Sequence, residues 1–235
     1  ESCDRSSKPR ITVRPPRVDT DSCSLRCDVG DAYDVVSVGL DLHGDAGVGA
    51  VRDVIDQGLK RLRAAVAAPA RPPRQLIAFD AHPGNFVVRS DGRAVLVDLE
   101  KCRYSHAGLD LAHATLYTST TWDVATRAVL TQDQVAQAYG QWTAAVGPDL
   151  AEPARPWHGL LREAMALWSL TWCAKWKALS QRTPSGSVDG EDWSVAHSAA
   201  ALVAHVRERV DHYLSKPVVE AMARELQGLQ HRGTL

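Results

Sequence analysis

The sequence predicts an α+β fold that is mostly helical, with one small β-hairpin near the middle of the chain. Three observations predict it. Two apolar, β-branched runs, 86–89 and 94–97, flank an Asp91-Gly92 turn, a strong hairpin signal. Beyond that hairpin the apolar residues recur mainly at helical spacing, with helix-start signals between them. At 235 residues the chain has ample length for one or two domains with a buried core.

Taken in order, residues 1–45 fit neither pattern. Lys8 to Arg17 carries Pro and Arg but little apolar periodicity. These residues are expected to form an irregular or atypical N-terminal segment, and 46–235 the folded remainder. Asp34 to Leu40 reads as a possible strand, and Gly44 to Ala50 as a possible phosphate loop. The second fails as a P-loop because Ala50 stands where Lys is required. It fails the dinucleotide fingerprint because Arg52 holds the third glycine position, so a flexible entry to the next helix is expected. Val51, Val54, Ile55, Leu59 and Leu62 share one helical face, and Pro69 to Pro73 end that helix. Residues 75–78 read as a short strand leading into a loop.

The hairpin follows. A two-residue Asp91-Gly92 loop of type I′ pairs Ser90 with Arg93 and, counting outward, sets Asn85 opposite Asp98. Directly opposed residues have Cβ atoms roughly 4.5–5.5 Å apart, which suits two oxygen ligands of one hard cation. Next, 109–117 reads as a helix. Thr131 and Gln134 form a capping box that opens a helix through Ala145. A long helix is expected from His158 to Leu179, a polar loop at 181–187, a helix from Asp192 to Leu214, and another after Pro217.

The chemistry concentrates between residues 78 and 112. Asp80, His82, Pro83, Gly84 and Asn85 precede the hairpin, Val97-Asp98-Leu99-Glu100 ends it, and Gly108-Leu109-Asp110-Leu111-Ala112 opens the next helix. Three motifs in this order resemble the aminoglycoside phosphotransferase and choline kinase families, relatives of the protein kinases. Their loop reads His-Gly-Asp-x-His-Pro-x-Asn, followed by a hairpin, Ile-Asp-Trp/Phe-Glu, and x-x-Asp-Leu-Ala. The resemblance spans residues 48–215 as a protein-kinase-like C-lobe with a small catalytic hairpin and implies ATP-dependent transfer of a phosphoryl group to a small-molecule hydroxyl. It assigns Asp80 to accept or orient the hydroxyl proton. It assigns Asn85 and Asp98 to hold Mg²⁺ on the phosphates of ATP. It makes His82 and Asp110 supports of that loop, with Asp110 bonding its backbone. These residue types suit phosphoryl transfer, whose loose transition state needs positioning and charge neutralisation more than covalent help. Taken singly, Asp80 and Asn85 are also ordinary turn residues, and Asp98 an ordinary strand end.

The pattern also departs from the family. Ala78 stands for its His and Phe79 for its Gly, which puts the rigidity of the loop in question. Leu99 replaces an aromatic residue. The N-lobe of such kinases is absent or atypical here, because 1–45 hold no glycine-rich loop, and Lys8, the single lysine before Lys60, faces no helical Glu. The chain begins at Glu1 rather than Met, which points to a processed product or a fragment, and the Arg/Ser/Pro/Cys-rich start would also fit out-of-frame sequence. The alternative reading is therefore a degenerate, non-catalytic kinase-like protein that binds a ligand or partner.

Composition excludes other classes. Net charge is −1, which leaves no nucleic-acid footprint. No apolar run reaches 18 residues, so no membrane span is expected, and no signal peptide is visible, which points to the cytoplasm. The five cysteines are odd in number and read as reduced thiols, though Cys23 and Cys27 with His43 offer a weak zinc pattern. A metal hydrolase built on Asp80, His82 and Asp98 lacks a second His at ligand spacing. Trp168, Trp172 and Trp176 recur every fourth residue. They read as core packing of a long helix, or as an aromatic box for a quaternary ammonium acceptor. Trp122 and Asp123, and later Glu191 and Asp192, are candidates for the acceptor side, although acidic residues at a helix start are commonly just dipole partners.

Overall fold

The computed structural model describes residues 46–67, 71–124, 126–180 and 200–231. The expectations for 1–45 (a strand at 34–40, the zinc pattern), for the loop at 181–187 and for Glu191 and Asp192 lie outside the described residues.

Within them the fold is mostly helical, with two small antiparallel sheets. Helix α1 spans Ala46–Ala67, so Gly47 and Gly49 are helical residues and not a loop. Strand β1 (Gln75–Ile77) pairs with β4 (Arg103–Ser105), joining Ile77 to Arg103 and Gln75 to Ser105. A 3₁₀ turn at Pro83–Asn85 leads into the hairpin of β2 (Phe86–Val88) and β3 (Ala94–Leu96). Helix α2 (Ala107–His113) and the single turn α3 (Tyr117–Thr120) divide the segment expected as one helix. Helices α4 (Gln132–Val146), α5 (Pro148–Ala154), α6 (His158–Ser180), α7 (Ala200–Tyr213) and α8 (Lys216–His231) follow.

The hairpin register differs by one residue from the expected one. Phe86 pairs with Leu96 and Val88 with Ala94, and Val97 N–H donates to the Asn85 carbonyl at 2.9 Å. Asn85 therefore faces Val97, not Asp98. The turn explains the shift. Gly92 has φ +80° while Asp91 is not left-handed, so a type I′ turn, which needs positive φ at both centres, is ruled out. Instead Arg89 N–H donates to Arg93 O and Gly92 N–H to Arg89 O, both at 2.9 Å. That is a three-residue loop closed by a left-handed glycine. Asp91 Oδ1 adds a bond from Arg93 N–H at 3.1 Å, the local turn bonding this residue favours.

Helix α6 is the spine. Leu161, Ala164, Met165, Leu167, Leu170 and Ala174 pack in one core with Ile55, Leu59 and Leu62 of α1, Leu109 and Ala112 of α2, and Val219 and Met222 of α8. A Cβ on Gly108 would stand 2.6 Å from Leu161 Cδ1, so α2 approaches α6 closely there and any side chain would have to displace Leu161. The capping box at α4 forms as the sequence predicts, with Gln134 N–H on Thr131 Oγ1 at 3.2 Å and Thr131 N–H on Gln134 Oε1 at 2.9 Å. Arg162 is fully buried on α6. It donates to Thr115 Oγ1 at 2.7 Å and to Glu225 Oε1 of α8 at 2.5 Å. No described helix is long and apolar enough to cross a membrane.

Candidate active site

The loop between β1 and the 3₁₀ turn carries Asp80, and its shape is fixed from α2. Asp110 lies in the first turn of α2. One of its carboxylate oxygens accepts from Ala78 N–H and the other from Phe79 N–H, each at 2.8 Å. Its pKa is raised, chiefly by partial burial, with the two N–H bonds acting the other way and Asp80 adding to the rise. Asp110 is half-buried rather than enclosed. Phe79 takes the left-handed conformation, φ 61°, which costs a residue with a Cβ roughly 1–2 kcal/mol. This is the position where the resembling loop has Gly. The surroundings hold the strain in place. The Phe79 ring is buried, meets Trp168 edge-on at 5.3 Å, and lies under the Arg103 guanidinium at 3.9 Å.

Asp80 leaves this loop half-buried. Lys101 Nζ, just beyond the hairpin, stands 3.0 Å from Asp80 Oδ2. His113 Nδ1, one helical turn after Asp110, stands 3.9 Å from Asp80 Oδ1, too far for a hydrogen bond. Burial pushes the His113 pKa down to about 4, against the opposing pull of Asp80, so the imidazole is neutral near pH 7 and this contact is not an ion pair. His113 Nδ1 is buried without a hydrogen-bond partner among the described residues.

His82 caps the 3₁₀ turn, its Nδ1 accepting from Gly84 N–H at 3.1 Å. That turn delivers Asn85, which is buried and whose Nδ2 donates to the Asp80 carbonyl at 2.9 Å. The amide is thus tied to the loop that carries Asp80, with Oδ1 outside that bond. Asp98 lies one residue past the partner of Asn85. It is exposed, with φ 57°. The left-handed backbone ends the strand alternation there, so the pleat does not decide which way Asp98 faces. Its carboxylate has no hydrogen-bond or ion-pair partner among the described residues. Asn85 Oδ1 and the Asp98 carboxylate are hard oxygen donors of the kind Mg²⁺ takes, one or two to a site with water and phosphate completing the shell. No group of three His, Cys, Asp or Glu that could hold a metal occurs among the described residues.

A cavity of about 160 Å³ opens beside Asp80. Its lining includes Lys101 and His113, Thr118 and Ser119 of α3, and Trp122, Trp168 and Trp172. The Thr118 and Ser119 hydroxyls are buried without partners among the described residues. The tryptophan stripe therefore divides. Trp176 is buried in a core cluster with Tyr213, whereas Trp168 and Trp172 are half-buried walls of the cavity. Trp122 joins them, meeting Trp172 edge-on at 5.6 Å. Asp123 lies against Gly84, where an added Cβ would come 3.5 Å from Asp123 Oδ2, and is not part of that lining.

Sequence reasoning missed Lys101 and His113. His113 carried a signal, since it follows Asp110 by three residues on one helix and so shares its face. Lys101 carried none, because it stands 21 residues from Asp80 and meets it through tertiary packing.

The family comparison fits this geometry. A family model described as the phosphotransferase enzyme family, APH, matches residues 37–157, just over half of the chain, and the protein belongs to that family. The match takes in every residue from Asp80 to His113 described above, begins inside the segment set apart at 1–45, and ends before α6. No curated protein matches the chain.

Proposed function

We propose that the protein is an ATP-dependent small-molecule phosphotransferase of the aminoglycoside/choline kinase type, with residues 46–235 as a kinase-like C-terminal lobe. One observation carries the reading. The Asp110 carboxylate holds two successive N–H groups of the loop, Asn85 holds the next carbonyl, and Asp80 is left facing a cavity. In this reading the acceptor hydroxyl attacks the γ-phosphorus of ATP. Its oxygen forms the new P–O bond, the bond to the β–γ bridging oxygen breaks, ADP leaves, and the hydroxyl proton passes to Asp80 Oδ1. General-base assistance of this kind contributes typically 10²–10⁴-fold. Asn85 Oδ1 and Asp98 would hold Mg²⁺, which would neutralise charge on the phosphates. Lys101 orients Asp80 through its Oδ2, and His82 fixes the turn that presents Asn85. The hairpin offers exposed Phe86, Val87, Val88 and Val95 as apolar surface against which a base can lie.

A second reading is a non-catalytic kinase-like binder. It draws on residues 1–45, where the sequence holds neither a glycine-rich loop nor a Lys paired with a helical Glu. One experiment separates the two. Protein in excess over Mg²⁺-ATP is incubated with a panel of hydroxyl compounds, and phosphoester is followed by ³¹P NMR. Slow transfer that vanishes in Asp80→Asn, while nucleotide binding persists, supports the enzyme. Nucleotide binding with no transfer supports the binder.

A further inference from the structure

We propose, building on the phosphotransferase reading, that the cavity beside Asp80 takes an uncharged polyhydroxylated acceptor, a monosaccharide or cyclic polyol, in preference to an amine. The first reason is charge. Asp80 is the one acidic side chain lining the cavity among the described residues, and Lys101 already pairs with it at 3.0 Å. A cationic acceptor reaching Asp80 meets that ammonium at close range. Two like charges at that range repel, which offsets the attraction to Asp80. A neutral ligand meets no such penalty.

The second reason is hydrogen bonding. Thr118 Oγ1, Ser119 Oγ and His113 Nδ1 are buried without partners among the described residues, and all three residues line the cavity. Buried polar groups are normally satisfied, and hydroxyls, which both donate and accept, can satisfy either role. The third reason is geometric. Lys101 occupies Asp80 Oδ2. Asp80 Oδ1 and His113 Nδ1 are 3.9 Å apart, a separation that one oxygen atom between them spans within hydrogen-bond distance of both. The structure thus assigns that position to the acceptor hydroxyl, giving its proton to Oδ1 and held by the neutral imidazole.

At water's liquid share of about 30 Å³ each, 160 Å³ corresponds to about five waters, room for the reacting end of a polyol. Trp168 and Trp172 supply apolar faces for a sugar ring. Both fall beyond the 37–157 family match.

The test is binding, read without turnover. Tryptophan fluorescence and saturation-transfer NMR are recorded on the full chain with monosaccharides and cyclitols, and with choline and neamine for comparison. The best neutral polyol should bind at least tenfold more tightly than either amine, and Ser119→Ala and Thr118→Val should each weaken it severalfold. Thermal melting of both variants checks folding, and Ser119→Ala alone suffices if Thr118→Val unfolds. Tighter binding of an amine, or no binding by any polyol, overturns the proposal. If polyols bind as expected but Mg²⁺-ATP yields no phosphoester with them, the phosphotransferase reading fails and the ligand assignment stands.

Discussion

Lys101 Nζ stands 3.0 Å from Asp80 Oδ2, so one oxygen of the candidate base is engaged and the other lies 3.9 Å from the neutral ring of His113. The pair makes the cavity electrically balanced. Lys101→Met leaves Asp80 as an uncompensated anion beside three indoles. Choline affinity is then expected to rise about tenfold, which is ~1.4 kcal/mol, with polyol affinity unchanged or lower. Isothermal titration with both ligands checks the direction.

Asp110 anchors the loop through Ala78 and Phe79. Asp110→Ala leaves two N–H groups without acceptors, at about 1–3 kcal/mol each where they are shielded from water, and frees Phe79 from its left-handed conformation. Urea unfolding should show a loss of roughly 2–6 kcal/mol by that reckoning. Amide exchange at residues 78–80 should accelerate more than exchange in the α6 core. Asp110→Asn, which keeps one acceptor, should lose about half as much.

His113 makes stability depend on pH. Its folded pKa is lowered to about 4, while the unfolded imidazole titrates near 6.5. Between those values the unfolded chain binds the extra proton, so stability rises with pH across that window, by about 3 kcal/mol in total. Below pH 4 the whole contribution is lost. His106 and His158, also lowered by burial, act in the same direction. The raised Asp110 acts in the opposite direction on the acid side. Denaturation midpoints of His113→Gln between pH 4 and 7 should show a flatter profile than the parent protein.

Glu225 neutralises Arg162, which has no exposed surface and ties α6 to α8 and to the Thr115 carbonyl. Glu225→Ala strands a buried guanidinium, at about 3–5 kcal/mol. Replacing both residues by apolar ones should recover much of that loss in chemical denaturation.

Much of this architecture is legible in the sequence, for identifiable reasons. The long helices announce themselves by apolar spacing, as in Ile55, Leu59 and Leu62, and α4 by its Thr131–Gln134 box. The loop and hairpin residues stand at recognisable spacing, which is how the family match at 37–157 could be foreseen. The hairpin register could not, because Asp-Gly serves both the two-residue loop and the three-residue loop, and the φ of Asp91 decides between them. Lys101 and the cavity were hidden because their partners lie on α2, α3 and α6, brought together only by packing. The tryptophan stripe was half legible. Spacing put the three rings on one face but could not say that Trp168 and Trp172 border a cavity while Trp176 fills the core.

Residues 1–45 bear on rate. The sequence there holds neither a glycine-rich loop nor an orienting Lys, and phosphate positioning is worth about 7–11 kcal/mol in well-organised sites. Steady-state ATP consumption by the chain should accordingly be weak, even with the preferred acceptor present. Robust turnover abolished by Asp80→Asn would show that the N-terminal segment supplies this clamp by a different sequence.

The central claim, that Asn85 and Asp98 together hold a nucleotide-bound divalent cation beside Asp80, is tested most directly with Mn²⁺-ATP. Amide NMR spectra recorded as it is added should show selective paramagnetic broadening at residues 84–86 and 97–99. The broadening should be absent in Asp98→Ala and retained in Asp80→Asn. Broadening centred elsewhere, or unchanged by Asp98→Ala, would contradict the assignment.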